Sequence, residues 1–459
     1  MRRRLALFLL PLVFAGAAFA AAPAKKLAGA TAPATKLTVP PIQLKHRTLA
    51  NGLEVYSVAD HSSPTVAIQV WYRVGSKNDP DGRSGFAHLF EHLMFKSTAH
   101  MPAEMMDRLT EDVGGFNNAS TRDDATEYHE VVPSNYLETL LWAEGDRMAS
   151  LNVNDENFKS ERDVVKEEYR FRVLSPPYGR LFTALEKDSW AVHPYKRPGI
   201  GNIEELDAAT LTDVQAFHTT FYRPDNAVLV VVGDFDQTQL DAWTDKYLGV
   251  VPHPSTPIPR VTVKEPPRKE VKRFEEHGPS VPLPAVAATW LLPEARHADS
   301  AALSVTAALL GLGQSSRVYE SLVYKKKIAV EIEVDADLRE DAGLFIAFAV
   351  LSNGHNPNEG EKALLAEIDA LATKTIPATE LEKAKTQLIA SILRDRETNN
   401  GKAMDIGNSV VVFHDANFVN AWIGKLQAVT AADVQRVTKK YVTGAPPVLI
   451  HYTAEGGAK

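Results

Sequence analysis

The chain has 459 residues, which exceeds the usual size of one compact domain and predicts two domains of roughly 200 residues each. Fifty basic and 58 acidic side chains give a net charge of −8, and this mild acidity excludes nucleic acid as an expected partner. The chain contains no cysteine, which excludes disulfides, thiolate metal sites and a thiol nucleophile. A zinc site in this chain must therefore be built from His, Asp and Glu.

Residues 1–20 have the pattern of a cleavable secretory signal peptide. A basic start at residues 2–4 precedes an apolar stretch from Leu5 to about Ala18, and small residues mark a cleavage site near Ala20. The apolar stretch is short for a membrane span and none like it follows, so a retained anchor is the less favoured alternative. We expect a mature chain without a membrane span, located in the periplasm if the cell is Gram-negative and secreted otherwise.

The remaining chain divides into two predicted domains. Residues 21–40 are rich in Ala, Pro, Thr and Lys and are predicted to be a disordered lead-in. Residues 41–250 mix strand patterns, such as TVAIQVWYRVG, with helical ones, such as GFAHLFEHLMFKST. Residues 251–270 contain six prolines and are predicted to be an extended linker to a second domain at residues 271–456.

The second half repeats part of the first. TLTDVQAFHTTFYRPDNAVLVVVGD from Thr210 is echoed by TAADVQRVTKKYVTGAPPVLIHYT from Thr430, at an offset of 430 − 210 = 220. A constant offset favours duplication, although a capped helix before a buried strand also recurs by accident. The offset places three residues without ionisable side chains opposite His88, Glu91 and His92, namely Ala308, Gly311 and Leu312. If the halves are homologous, only the first half is therefore predicted to keep these three ionisable residues.

The segment HLFEH at residues 88–92 is a candidate metal motif. On a helix, His88 and His92 project from one face, close enough to share an ion, and Glu91 falls near the same face. Two imidazoles and one carboxylate leave a fourth zinc position open for water, and Glu91 would then be the general base and not a ligand. The alternative is an amphipathic helix whose solvated face happens to carry these residues.

A suitable third ligand lowers the weight of that alternative. ENFKSERDVVKEEYRFRVL, starting at Glu156, is predicted to be a charged helix on which Glu161 and Glu168 share a face. A carboxylate on that face could complete the site while another supports it. Taken alone, either glutamate is better explained as a solvated residue of an acidic helix.

HLFEH resembles the inverted zinc motif His-x-x-Glu-His of the pitrilysin and insulin-degrading-enzyme family of metallopeptidases, which includes the mitochondrial processing peptidases. The resemblance implies a glutamate ligand about 76 residues after the second histidine, within a pattern like Glu-Arg-x-Val-x-x-x-Glu. Here 168 − 92 = 76 selects Glu168 over Glu167, and Glu161 matches the supporting glutamate at the start of that pattern. It also implies two homologous α/β domains arranged as a clamshell around a cavity, each a mostly antiparallel sheet with helices on one face.

Further segments carry the same resemblance along nearly the whole mature chain. GGFNNASTRDDATEY from Gly114 is similar to the family's edge strand, which implies that Asn118 and Ala119 lie beside an extended substrate. A plain Gly/Asn turn is the alternative for this stretch. HPYKRPGIGNIEEL, FYRPDNAVLVVVGDF and GQSSRVYESLV are similar to other family segments.

One part of the match fails in the second half. Single-chain active members typically place an arginine and a tyrosine there to hold substrate and stabilise the oxyanion; Arg317 fits the arginine position. The tyrosine is expected at 317 + 13 = 330, where this chain has Val330. The resemblance therefore implies the zinc-bearing subunit of a heterodimer, whose homologous partner subunit supplies the arginine–tyrosine pair.

The expected function is a zinc endopeptidase, with one Zn²⁺ per chain, that cleaves peptides or unfolded segments enclosed between the two domains. A non-catalytic scaffold or binding subunit of the same fold is the alternative, but such a subunit has no chemical reason to keep His88, Glu91, His92 and Glu168 together. A purely structural metal is weaker still, because a structural site fills its fourth position with protein and leaves Glu91 without a role.

Overall fold

The computed structural model describes residues 37–456. The predicted signal peptide and most of the predicted lead-in lie outside the described residues. From Ile42 onward the chain belongs to one compact unit. No helix within residues 37–456 combines the length and the apolar character that a membrane crossing requires.

Six strands of the first half form one sheet. They are β1 (Lys45–Thr48), β2 (Glu54–Ala59), β3 (Thr65–Tyr72), β4 (Phe116–Thr121), β5 (Thr126–Pro133) and β6 (Ala227–Gly233). Their order is β1-β2-β6-β3-β5-β4, so β4 is an edge strand. Strands β3 and β6 lie inside the sheet and are almost continuously apolar, as expected for strands that are buried on both faces.

The helices of the first half are α1 (Phe86–Leu93), α2 (Met105–Glu111), α3 (Leu137–Ser150), α4 (Asp155–Tyr169), α5 (Gly179–Ser189), α6 (Ile203–Ala208), α7 (Leu211–Phe221) and α8 (Gln237–Tyr247). A π-helical turn at Arg170–Leu174 continues α4, and a 3-10 turn at Ser76–Asn78 precedes α1. Helix α1 is shorter than the predicted GFAHLFEHLMFKST segment because it ends at Leu93.

The second half contains β7 (Lys272–Gly278), β8 (Ala285–Leu292), α9 (Ser300–Gly311), β9 (Ala329–Asp337), β10 (Gly343–Leu351), α10 (Pro357–Thr373), α11 (Ala378–Asp395), α12 (Asn399–Val411), α13 (Phe418–Ala428), α14 (Ala431–Val437) and β11 (Val448–Ala454). Its sheet has the order β7-β11-β8-β10-β9, and π-helical turns at Tyr319–Lys325 and Thr438–Thr443 precede β9 and β11 in sequence. The predicted α/β class with two mostly antiparallel sheets is confirmed.

The two sheets share one topology, as a duplication predicts. Without β1, the first sheet reads β2-β6-β3-β5-β4, and each strand matches the one in the same place of β7-β11-β8-β10-β9, including a single parallel pair. The echoed helices also begin alike, because Thr210 caps α7 and Thr430 caps α14 through the same capping box.

One helix of each half packs on the sheet of the other half. Helix α12 packs on the first sheet, where Ala403 and Ile406 join the cluster around Trp71, and a Cβ on Gly407 would meet the Trp71 ring at 2.2 Å. Helix α5 packs on the second sheet through Leu181 and its neighbours. Helices were expected on one face of each sheet. The other face of each sheet is also covered, by a helix from a distant part of the chain. The domain boundary at residues 251–270 stays a prediction.

Candidate metal centre

Helix α1 is fixed at its first turn by backbone geometry and by a buried carboxylate. Gly85 precedes it with φ +90, and a Cβ there would meet the Ile200 carbonyl oxygen at 2.7 Å. The buried Asp79 carboxylate accepts hydrogen bonds from the Gly85 and Ala87 N–H groups at 2.7 and 2.9 Å. These bonds satisfy helix-terminal donors and place negative charge at the positive end of the helix.

The sequence of α1 separates an apolar face from the three polar residues of the motif. Its apolar residues recur at helical spacing and are buried in the first core, namely Phe86, Leu89, Phe90 and Leu93. Tyr128 donates its hydroxyl to the Phe90 carbonyl at 3.1 Å and ties the helix to β5. His88 and His92 are thereby held on the side that faces α4.

Helix α4 supplies the two glutamates. Asn154 caps its first turn, and Phe158 and Val165 are buried toward the core. Glu161 and Glu168 lie on the side that meets α1, as predicted from their spacing, whereas Glu167 has a 72% exposed side chain. The separation of 76 residues therefore picks the glutamate that reaches both histidines.

Three ligand atoms converge between the two helices. The His88 Nε2 and His92 Nε2 atoms lie 3.4 and 3.1 Å from one Glu168 carboxylate oxygen. A tetrahedral zinc with bonds near 2.0–2.1 Å places its ligand atoms about 3.4 Å apart, so these separations suit one shared ion. His88 is buried, and His92 and Glu168 are largely so. The three residues therefore fit a zinc ion.

Two cationic side chains hold the glutamates from outside the cluster. Lys96 Nζ lies 2.8 Å from Glu161, whose other oxygen is 3.6 Å from His92 Nδ1. This contact orients the imidazole so that Nε2 faces Glu168. Arg172 lies 2.8 Å from the second Glu168 oxygen. Neither cation was identified from the sequence, although each follows a predicted ligand by four positions, which is a helical contact spacing.

The pKa values describe a site that favours positive charge. Burial alone would lower the pKa of His92, but hydrogen bonds to Glu161 and Glu168 raise that pKa to about 9. Burial opposes ionisation of Glu168, yet His92 and the neighbouring cations lower its pKa to about 2. A proton on the imidazole stabilises the two neighbouring carboxylates. A divalent cation, with its greater positive charge, would stabilise them more strongly.

Glu91 lies beside this cluster and outside the set of three ligands. Its Oε2 atom is buried and forms no hydrogen bond within residues 37–456. A buried carboxylate oxygen without a partner is costly, which is typical of a group reserved for a ligand or a proton. The arrangement therefore suits the predicted base better than a third carboxylate ligand.

The remaining predicted site residues occupy two edge strands and a helical turn. Asn118 and Ala119 lie on β4, which packs beside α1. Arg317 forms a two-bond ion pair with Glu380, at 2.6 and 3.0 Å. Val330 stands at the start of edge strand β9 with 52% of its surface exposed. The roles assigned to these residues stay predictions.

Two family models match the chain. Residues 54–202 match the model described as insulinase (peptidase family M16), and residues 208–388 match the model described as peptidase M16 inactive domain. The first match contains all three proposed ligands and Glu91.

Relatives of known sequence and structure agree with these matches. The chain is 32% identical over 400 residues to the zinc protease PqqE of Helicobacter pylori, covering 86% of this chain and 89% of that protein. It is 25% identical over 426 residues to a probable mitochondrial-processing peptidase subunit beta of Arabidopsis thaliana, covering 90% and 77%. A crystal structure of a protease from Helicobacter pylori superposes with a TM-score of 0.87 and 29% identity, covering 90% of this chain and 100% of that one. The resemblance inferred from HLFEH is confirmed: this chain belongs to the insulinase family, peptidase family M16.

Proposed function

We propose that this chain is a zinc-dependent endopeptidase. The observation that carries the proposal is the meeting of His88, His92 and Glu168 around one point, with the buried, unbonded Glu91 oxygen beside it. The names of the relatives, which include zinc proteases, support the same reading. A scaffold role leaves this arrangement without a purpose.

Each residue has a distinct task in the proposed hydrolysis. His88, His92 and Glu168 would hold the ion, which would supply polarisation of the scissile carbonyl and acidification of water. Glu91 accepts a proton from the attacking water as the water oxygen bonds to the carbonyl carbon. Glu91 then passes that proton to the amine nitrogen as the carbon–nitrogen bond breaks. Glu161 and Lys96 keep His92 in its ligating orientation.

The proposed substrate is an extended peptide or unfolded segment. Edge strand β4 pairs on one side only, with β5, so one row of its backbone groups is left without a strand partner. An extended segment can add to that edge by backbone hydrogen bonds, beside Asn118 and Ala119. A folded substrate could not present such a strand.

We further propose that a homologous partner subunit completes the site. Val330 offers no hydroxyl where the resemblance expects a tyrosine, so this chain does not itself supply the phenol at that position. A partner that brings an arginine–tyrosine pair would restore it.

The test is cleavage of a mixed peptide library by the purified chain, with bound zinc quantified beforehand. Cleavage that disappears on chelation and returns with about one zinc per chain supports the proposal. One bound zinc with weak cleavage points to the missing partner. Absence of stoichiometric zinc binding, with or without a homologous partner, would overturn the proposal and favour the scaffold role.

The periplasm is the proposed location. The support is the signal-peptide pattern of residues 1–20 alone. Expression of the full chain in a Gram-negative host, followed by fractionation and N-terminal sequencing, tests it. A periplasmic product that begins near residue 21 is expected, and an uncleaved cytoplasmic product would contradict it.

A further inference from the structure

A short turn of the second half is buried against the first half. Residues Arg339, Glu340 and Asp341 join β9 to β10, and we call them the docking turn. The Arg339 guanidinium lies 3.2 Å from Asp123, and the Glu340 N–H donates to Asp124 at 2.9 Å. The side chains of Arg339 and Asp124 are only 5% and 6% exposed, so this contact is sealed from water.

The docking turn meets its own counterpart. By strand register, Ala336 of β9 matches Ala119 of β4, and each is followed three positions later by an arginine. The sequences are Arg-Asp-Asp-Ala at residues 122–125 and Arg-Glu-Asp-Ala at residues 339–342. The two halves therefore touch through equivalent hairpin turns, a pseudo-symmetric contact.

One lysine of the first half neutralises this contact. Lys77 Nζ lies 2.6, 2.9 and 3.0 Å from carboxylate oxygens of Glu340, Asp341 and Asp124, and its side chain is 8% exposed. Burial opposes the charge of Lys77, but these three carboxylates raise its pKa above the ordinary value. The ammonium thus already fills the space among three acidic groups, and its removal would leave the buried Asp124 carboxylate without its cation.

The two first-half segments of the contact are hydrogen-bonded to helix α1. Two positions after Lys77, the Asp79 carboxylate binds the N–H of Ala87. Just before the Arg-Asp-Asp-Ala turn, the Thr121 hydroxyl donates to the carbonyl of the same Ala87 at 3.3 Å. Ala87 immediately precedes His88, so the backbone N–H and carbonyl of Ala87 are both bonded to segments that adjoin the contact with the docking turn.

We propose that the docking turn of the second half, acting through Lys77, Asp79 and Thr121, positions helix α1 and so sets the zinc affinity of the first half. Lys77 and Asp79 are positioning residues, because neither reaches the ligand atoms. The second half, which matches the model described as an inactive domain, thereby has a task that requires no catalytic group of its own. This inference rests on the proposed zinc site.

The test compares two lysine substitutions in the full chain. Lys77→Met removes the ammonium from the contact. Lys402→Met removes another ion pair between the halves, with Asp60, whose carboxylate also accepts from the neighbouring Ser62 N–H and is not bonded to α1. We expect Lys77→Met to weaken zinc affinity, measured by chelator competition, about tenfold. We expect Lys402→Met to stay within about twofold of the unmodified chain. Lys77→Arg, which keeps the charge, should restore most of the affinity.

A second readout does not depend on zinc or on activity. Hydrogen–deuterium exchange of the metal-free protein should accelerate about tenfold at residues 85–93 in Lys77→Met and not in Lys402→Met. If the chain proves to bind no zinc, the proposed function fails while this readout still decides the positioning role. Equal exchange at residues 85–93 in the two folded variants would overturn the inference.

A milder variant covers the case in which Lys77→Met does not fold. Glu340→Gln with Asp341→Asn weakens the contact from the second half and leaves the Lys77–Asp124 pair intact. Faster exchange at residues 85–93 is again expected, and unchanged exchange with unchanged zinc affinity would contradict the proposal.

Discussion

Helices α1 and α9 follow the middle strand of their respective sheets, yet their compositions are opposite. Helix α1 keeps His88, Glu91 and His92 on one side, whereas α9 reads SAALSVTAALLG and is buried along almost its whole length. The same topology thus supports a helix with the proposed ion ligands in one half and an almost wholly buried, apolar helix in the other. The duplicated fold places a helix at the same position in each half. Whether that helix can take part in a reaction depends on a few of its side chains.

The edge strands differ in the same way. By register, Phe116 and Asn118 of β4 correspond to Glu333 and Asp335 of β9. Strand β4 carries uncharged residues, whereas β9 carries a row of carboxylates that discourages a further strand. The first half is therefore the one expected to bind substrate.

The largest expected effect breaks the chemistry of the first half while leaving its structure intact. Glu91→Gln should lower kcat about 10²–10⁴-fold, because the base is lost, with zinc content unchanged. Peptide cleavage and metal analysis of the same preparation measure both quantities. Glu111→Gln, an exposed change at the end of α2, is the matched control. Equal activity of the two variants would exclude Glu91 as the base.

The next prediction tests whether the second half lacks only one hydroxyl. Val330→Tyr should raise the turnover of the isolated chain up to about a hundredfold, because a phenol can stabilise the oxyanion. Val330→Phe supplies the ring without the hydroxyl and should give no gain. Steady-state cleavage of one fluorogenic peptide by both variants is the measurement. A gain with phenylalanine would show that ring packing, and not the hydroxyl, matters.

A third prediction separates two glutamates of helix α4. Glu161→Gln should weaken zinc binding about 10- to 100-fold, because His92 loses the carboxylate that orients it. Glu167→Gln, which alters an exposed partner of Arg170, should leave zinc binding unchanged. Chelator competition on the two variants measures the difference. Identical affinities would mean that Glu161 does not support zinc binding through His92.

The smallest effect concerns the acidic edge strand of the second half. Burial, and then the charges of Asp335 and Glu331, raise the pKa of Glu333 from 4.5 to about 7. The folded state therefore holds this proton more tightly than the unfolded state, and stability present below pH 4.5 falls as the pH rises through 7.

Glu333→Gln should remove that loss and raise the free energy of unfolding at pH 8 by about 1–2 kcal/mol, after allowance for partial solvent screening. Urea unfolding at pH 5 and pH 8 measures it. Glu331→Gln, at an exposed position of the same strand, should have a smaller effect. A larger effect at Glu331 would contradict the role of burial.

The sequence predicted that His88, His92 and Glu168 come together, because the signals for this group are local or fixed in spacing. Helical periodicity places His88 beside His92, and one separation along the chain selects Glu168 over Glu167. The fold class followed from the family resemblance and from alternating strand and helix patterns. The exchange of α5 and α12 between the sheets left no such signal, because both helices look like ordinary amphipathic segments. The contact of the docking turn was missed because its carboxylates and those of residues 122–125 form a recognisable group only when the fold brings Lys77 between them.

The exchanged helix α12 has a consequence for synthesis of the chain. Asn399 at its start bonds to Thr65 of β3, and these residues are 334 positions apart. At about 5–20 residues per second, a ribosome needs roughly twenty seconds to a minute between them. During that interval the apolar face around Trp71 stays exposed, because α12 has not yet been made. The nascent first half is therefore prone to aggregate and is expected to need chaperones until α12 emerges.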